Sequence, residues 1–259
     1  MPGREQQPGH LWSVLPDRYI IGMSPPARFA TTRWSLVNAA RDPAAPAARQ
    51  ALADLCKLYW FPIYSFVRRR GHTDDKAQDL TQEFFTRLLE RDGLATADPQ
   101  RGRFRSYLVA AFQHFLANQH DFETAQKRGG ARAPLPLEFG DADSRYGLEA
   151  PGGRTPEQEF ERRWALTMLD QALAALRAEY ATGGKEALFE RLKASLTGES
   201  EPYAVIAVDL GLSEGAVKVA AHRLRQRYRD CLRAAIAETV DSQEQIEDEI
   251  RALFAALSI

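Results

Sequence analysis

Cysteine is scarce: Cys56 and Cys231 are the only two in 259 residues. They are too few and too far apart for a disulfide framework or a metal knuckle, and reduced thiols in a cytosolic protein are the expected reading. No run approaches the roughly 18 consecutive apolar residues of a membrane span. The opening PGREQQPGHLW is polar and proline-rich, unlike a secretory leader. An excess of one charge is missing as well. Lys and Arg number 34 against 35 Asp and Glu, a formal net charge of −1, so attraction to a polyanion has to come from local patches. The five histidines offer no ligand pair, since His114 and His120 stand six apart and point different ways on a helix. GGKE at 183–186 lacks the upstream glycine and following Ser/Thr of a phosphate loop. No Ser–His–Asp or paired-carboxylate set stands out. The expectation is a soluble cytoplasmic protein that is not an enzyme, with no metal or organic cofactor.

What is present is helical periodicity. Residues 1–28 carry several Pro and Gly without lasting pattern and read as a flexible N-terminal extension. AARQALADLCKLYWFPIYSFVRRRG then places Leu52, Leu55, Leu58, Tyr59 and Phe66 at helical spacing, with a kink expected at Pro62. Thr73 is the expected N-cap of the next helix, with Asp74 and Asp75 in its first turn and an apolar stripe of Leu80, Phe84, Leu88 and Leu89. A third helix is expected over 104–127. Residues 129–156 contain six Gly and four Pro, a density that reads as a flexible linker. Thr155-Pro156 looks like a cap followed by proline at the first helical position. Leu166, Leu169, Leu173, Leu176 and Tyr180 then alternate steps of three and four, until Gly183 and Gly184 stop the helix. No strand and no internal repeat emerge. The fold class is all-α: two small helical domains, 29–128 and 157–237, a linker at 129–156, and an acidic C-terminal extension at 238–259.

Within the second domain, residues 202–225 carry the marks of a helix-turn-helix. Pro202 opens a short helix with Ile206 and Leu210 on its inner face. Gly211 supplies the positive φ of the turn, and Ser213 caps the second helix. Val217, Ala221 and Leu224 face inward. Glu214, Lys218, Val219, His222, Arg223 and Arg225 occupy the remaining faces, a composition that suits the major groove of duplex DNA. Arg227 and Arg229 further along read equally as solvated arginines.

With QDLTQEFFTRLL, RFRSYLVAAFQHFLANQ and LGLSEGAVKVAAHRLR in this order, the chain over about 29–236 resembles the extracytoplasmic-function (ECF) subfamily of sigma-70-family RNA polymerase sigma factors. The resemblance implies a region 2-like helical bundle followed by a region 4-like helix-turn-helix. It implies core RNA polymerase as a partner, bound at the clamp of the largest subunits through Asp79, Gln82 and Glu83. It implies promoter DNA as the other partner. The downstream box would be melted and read through Arg103, Arg105, Tyr107, His114, Asn118, Gln119, His120, Lys127 and Arg128, and the upstream box through Ser213, Glu214, Lys218, Val219, His222, Arg223 and Arg225. An anti-sigma factor or other regulator is a further partner open to it. The chain departs from the commonest family pattern at Tyr107, His114, Asn118, Gln119, His120, Ala220 and Ala221, in the length of the linker and in its C-terminal addition. Thr81 lies inside the polymerase-binding motif, but a threonine in a helix is not evidence of a kinase. The alternative reading is a helix-turn-helix regulator that binds operators without joining polymerase.

The tail stands outside the resemblance. Glu238, Asp241, Glu244, Glu247, Asp248 and Glu249 precede or interleave with Ile246, Ile250, Leu253, Phe254 and Leu257, the pattern of an amphipathic helix. Two placements are open. It completes the core of the second domain, or it folds back between the domains and sets its acids against the DNA-binding surface.

Overall fold

The structure is a computed structural model that describes residues 37, 38, 40, 48–90, 94, 97, 98, 103–118, 137, 139–149, 153–198, 201–237, 240 and 243–258. The expected N-terminal extension, and with it residues 1–28, lies outside the described residues. Among the described residues every regular element is a helix. Helix α1 (Ala48–Arg69) is the central one. From Phe61 to Val67 it is buried all round its circumference, which a helix bordered by others on every side requires. Pro62 lies inside it and the helix continues to Arg69. Helix α2 (Asp74–Glu90) packs back along α1 through Ala77, Leu80, Phe84, Phe85 and Leu88. Thr73 opens it with a long 3.5 Å contact from the Lys76 N–H to its Oγ1. Helix α3 (Phe104–Ala117) adds Phe104, Leu108, Phe112 and Phe115 to the same core. Asn118 is its C-cap, so the helix stops at Ala117, short of the expected 127, and residues 119–127 themselves lie outside the described residues.

The glycine- and proline-rich stretch 129–156 contains a helix, α4 (Ala142–Glu149). Its prolines and most of its glycines stand outside those eight residues, so the count over the whole stretch conceals a helix-compatible middle. Tertiary packing then fixes it. Tyr146 meets Tyr64 edge-on at 6.4 Å, the Arg145 guanidinium lies 4.2 Å from the Phe61 ring centroid, and Arg68 pairs with Asp143.

Helix α5 (Pro156–Thr182) begins with a full capping box. Thr155 Oγ1 accepts from the Gln158 N–H at 3.2 Å, and Gln158 Oε1 accepts from the Thr155 N–H at 2.8 Å. Its first half packs on α1 with Phe160, Trp164, Ala165, Met168 and Ala172, and its last turns belong to a second cluster through Leu176. That cluster also takes Phe189 and Leu192 from α6 (Glu186–Leu192), Ile206 and Ala207 from α7 (Tyr203–Leu210), and Val217, Ala221 and Leu224 from α8 (Glu214–Ala237). A short 3-10 turn, Lys193–Leu196, joins α6 to the chain leading to α7. The far half of α8 returns to the first core through Leu232 and Ile236. Residues 31–259 form one contact-defined unit, and the first core draws on both sides of 129–156, so the cores do not divide where two tethered domains would. The periodic leucines of α5 are correspondingly not its main buried face. Leu176 is fully buried, whereas Leu166, Leu169, Leu173 and Tyr180 are only partly so.

Helix α9 (Gln243–Leu257) closes the unit. It lies on α5 and α8, with Ile246, Leu253 and Ala256 buried in the first core and Ile250, Phe254 and Leu257 packed at its margin. The tail therefore joins the first core and not that of the helix-turn-helix.

Candidate nucleic-acid interface

The turn between α7 and α8 is built by backbone geometry. Gly211 has φ 63° and ψ 32°, the left-handed conformation that glycine adopts without penalty. The Leu212 N–H donates to the Ala207 carbonyl at 2.9 Å and the Gly211 N–H to that of Val208 at 3.2 Å, the paired bonds of a Schellman stop. One residue on, Ser213 Oγ accepts from the Ala216 N–H at 3.2 Å and caps α8. Ile206 and Ala207 on α7 face Val217, Ala221 and Leu224 on α8, all buried, and Leu210 is partly buried beside them. The small Ala221 at the middle of that face permits close approach of the two helices.

The outer face of α8 is then available. Ser213, Glu214, Lys218, Val219, His222 and Arg223 are exposed. Lys218 Nζ lies 2.8 Å from Glu214 Oε1, and this hydrogen bond raises the lysine pKa. An open groove of about 360 Å³ runs beside the helix, lined in part by Tyr180, Lys185, Val219, Ala220 and Arg223. Val205, Val208 and Leu212 expose large apolar side chains on α7 and the turn, Val208 at 81%. Arg225 does not share the outer face. Its Nε donates to the Ser195 carbonyl at 3.1 Å and its Nη2 to Tyr203 Oη at 2.8 Å, so it braces α8 against the 3-10 turn and the start of α7. Arg227 is held by Glu179 at 2.8 Å.

On α2, Asp79 is exposed and Gln82 and Glu83 are half-buried on the same side, one turn further along. Glu83 pairs with Arg87, whose guanidinium lies 5.2 Å from the Phe115 ring centroid. Thr81 points the other way and is fully buried, so in this arrangement its hydroxyl is out of reach of a modifying enzyme.

The residues expected at a downstream promoter box divide. His114 is exposed near the end of α3, and Asn118 Nδ2 contacts its Nδ1 at 2.7 Å. Tyr107 is half-buried and stacks with Phe104 at 6.0 Å. Gln119, His120, Lys127 and Arg128 lie outside the described residues. Arg105 is the main departure. It is 4% exposed, its guanidinium sits 4.1 Å from the Trp164 ring centroid, its Nε donates to Glu161 at 2.7 Å, and its Nη1 donates to Glu249. Burial pulls its pKa below the ordinary guanidinium value, and the charge of Glu161 opposes that shift. Arg103, more exposed, places its Nε 3.2 Å from the other oxygen of Glu249. No spacing along the chain announces this pairing, whereas the buried Glu159–Arg163 pair at 2.5 Å beneath α4 stands at i,i+4 on α5 and is legible there.

The thiols offer no reactive center. Cys56 is buried, its pKa pushed up to about 12 by desolvation, and burial also raises that of Cys231. Among the described residues no cluster of His, Cys, Asp and Glu is arranged to hold a metal, and no helix is long and apolar enough to cross a membrane. No protein-family model, curated protein or solved structure matches the chain.

Proposed function

We propose that the chain is a dissociable promoter-specificity subunit of RNA polymerase. The observation that carries the reading is the α7–α8 corner. A left-handed glycine turn, a serine cap and a buried Val217–Ala221–Leu224 face leave Glu214, Lys218, His222 and Arg223 together on the outside of one helix. A helix so presented fits the major groove, with side chains that donate to and accept from base edges. In this reading α8 grips the upstream box as duplex DNA. The Asp79, Gln82 and Glu83 side of α2 docks on a basic surface of the polymerase clamp, and α3 with its flanking cations engages the downstream box once the strands part. The experiment is run-off transcription with core polymerase and a promoter library, with and without the protein. Selective transcripts that depend on the chain are expected, and their absence together with failure to co-elute with core polymerase refutes the reading.

One observation favors a second reading. The α3 and α8 elements share a single core with α5, an arrangement that would suit a self-contained DNA-binding protein with no separately placed parts. An operator-binding regulator of this kind would bind duplex DNA but not co-elute with core polymerase.

A further inference from the structure

Glu249 is an acid where a packing helix gains most from a hydrocarbon. It lies on the inner face of α9, between Ile246 and Leu253, and only 2% of it is exposed. Each carboxylate oxygen meets a different arginine of the α3 start, Oε1 facing Arg103 Nε at 3.2 Å and Oε2 accepting from Arg105 Nη1. A buried ion pair contributes little net stability beside well-packed apolar groups of similar size, because both charges lose their water. Its clearer effect is selective, since it ties one helix to one partner in one register. Beside this pairing α9 is held by apolar packing, with Ile246, Leu253 and Ala256 buried in the first core, and by attachments at its margins. Glu247 pairs with Arg233 on α8, and Arg162 donates to the Leu257 carbonyl at 3.4 Å.

We infer that α9 is an intramolecular latch in which Glu249 occupies Arg103 and Arg105 and withholds them from nucleic acid until α9 is displaced. The inference rests on the promoter-subunit reading, because it takes these arginines as phosphate contacts. The latch competes by like chemistry, a carboxylate standing where a phosphate oxygen would stand. Release of α9 leaves Arg105 Nε with Glu161 and frees its Nη end, so the arginine turns outward without becoming wholly unpaired. Glu244, exposed on the outer side of the same helix, adds to the repulsion of an approaching phosphate backbone while the latch is shut, and Glu247 and Asp248 beside it are offset by Arg233 and Arg251.

The test uses the full chain. Hydrogen exchange of the α9 amides is followed for the protein alone, with saturating random-sequence duplex at low salt, and with core polymerase. Random-duplex affinity is measured beside it for the natural chain, Glu249→Gln, and Glu249→Gln with Arg105→Met. The expected result is that α9 loses protection by about tenfold or more in the bound states. Glu249→Gln should bind the duplex at least about fivefold more tightly at low salt, a gain that shrinks as salt rises and largely disappears with Arg105→Met. Retained protection of α9 in the bound state overturns the latch, as does a folded Glu249→Gln chain that binds no more tightly. If Glu249→Gln does not fold, exchange in the natural chain decides alone. A chain that drives transcription while α9 stays protected loses the latch and keeps the promoter reading. A chain that binds neither DNA nor polymerase loses both.

Discussion

Replacing Gly211 by alanine isolates the turn on which the α7–α8 corner depends. A Cβ built there meets nothing within 4 Å, so the substitution adds no collision. Its whole cost is conformational, because φ is 63° and an L-residue held in the left-handed region loses roughly 1–2 kcal/mol. Alanine also restricts the unfolded chain, which offsets about 0.4–1 kcal/mol of that. The expected net loss is therefore on the order of 1 kcal/mol. Gly211→Asn should lose less, since asparagine visits this region more readily than alanine does. Urea denaturation followed by circular dichroism reads the effect as a lower midpoint at unchanged slope. In a chain of this size it corresponds to a drop in Tm of about 2–4 °C. A neutral alanine variant, or one equal to asparagine, refutes a left-handed turn at 211. A loss above about 3 kcal/mol refutes the open space around it, because only a collision adds that much.

Asp79→Ala with Glu83→Ala should weaken binding to core polymerase in a fluorescence titration while changing stability by less than about 1 kcal/mol, since Asp79 is exposed and the Glu83–Arg87 pair is an i,i+4 pair on a half-buried helix face. Lys218→Ala and His222→Ala should erode discrimination between promoter and random duplex in competition assays. Arg225→Ala, whose guanidinium is tied to Ser195 and Tyr203, should instead lower stability by about 1–2 kcal/mol with little change in discrimination. Asp74 accepts from Gln78 at 3.0 Å and from Tyr64 Oη at 2.7 Å, and these bonds hold its carboxyl below the ordinary aspartate range. The associated stability is complete above the unfolded-state value near pH 4 and is lost as pH falls through the lower folded-state value. Tyr64→Phe removes one of those bonds, so it should reduce the loss of Tm between about pH 4 and pH 2 as well as lowering Tm at neutral pH.

Local signals were legible and distant ones were not. The α7–α8 corner is legible in the sequence because a glycine, a serine and three apolar residues at helical spacing follow one another in one stretch, Gly211 to Leu224. The Thr155-Pro156 start of α5 was equally plain, its cap and its Gln158 partner being three residues apart. The buried face of α5 escaped because the leucine period describes a helix with one neighbor, whereas this helix serves two cores and buries Arg163 and Trp164 as well. Helix α4 escapes because the density of glycine and proline over 28 positions does not tell where they stand, and all but Gly147 stand outside its eight residues. The meeting of Arg105 with Glu249, 144 positions apart, leaves no trace in any spacing. Of the expected interface, the exposed side of α8 and Asp79 lie at the surface as read, whereas Arg105 is taken up inside the fold and Arg225, half-buried, is tied to Ser195 and Tyr203.

Helix α5 has a practical consequence for dissecting this protein. At about 1.5 Å per residue its 27 residues make a rod of roughly 40 Å, with one end set among α1 and α9 and the other among α6 and α8. A chain severed ahead of Pro156 would leave Phe160, Trp164 and Met168 on one fragment and the pocket that receives them on the other. Such fragments should cling together and resist separation on a sizing column. Made apart and then mixed, they would behave as the two parts of a split protein, each completing the other's missing wall.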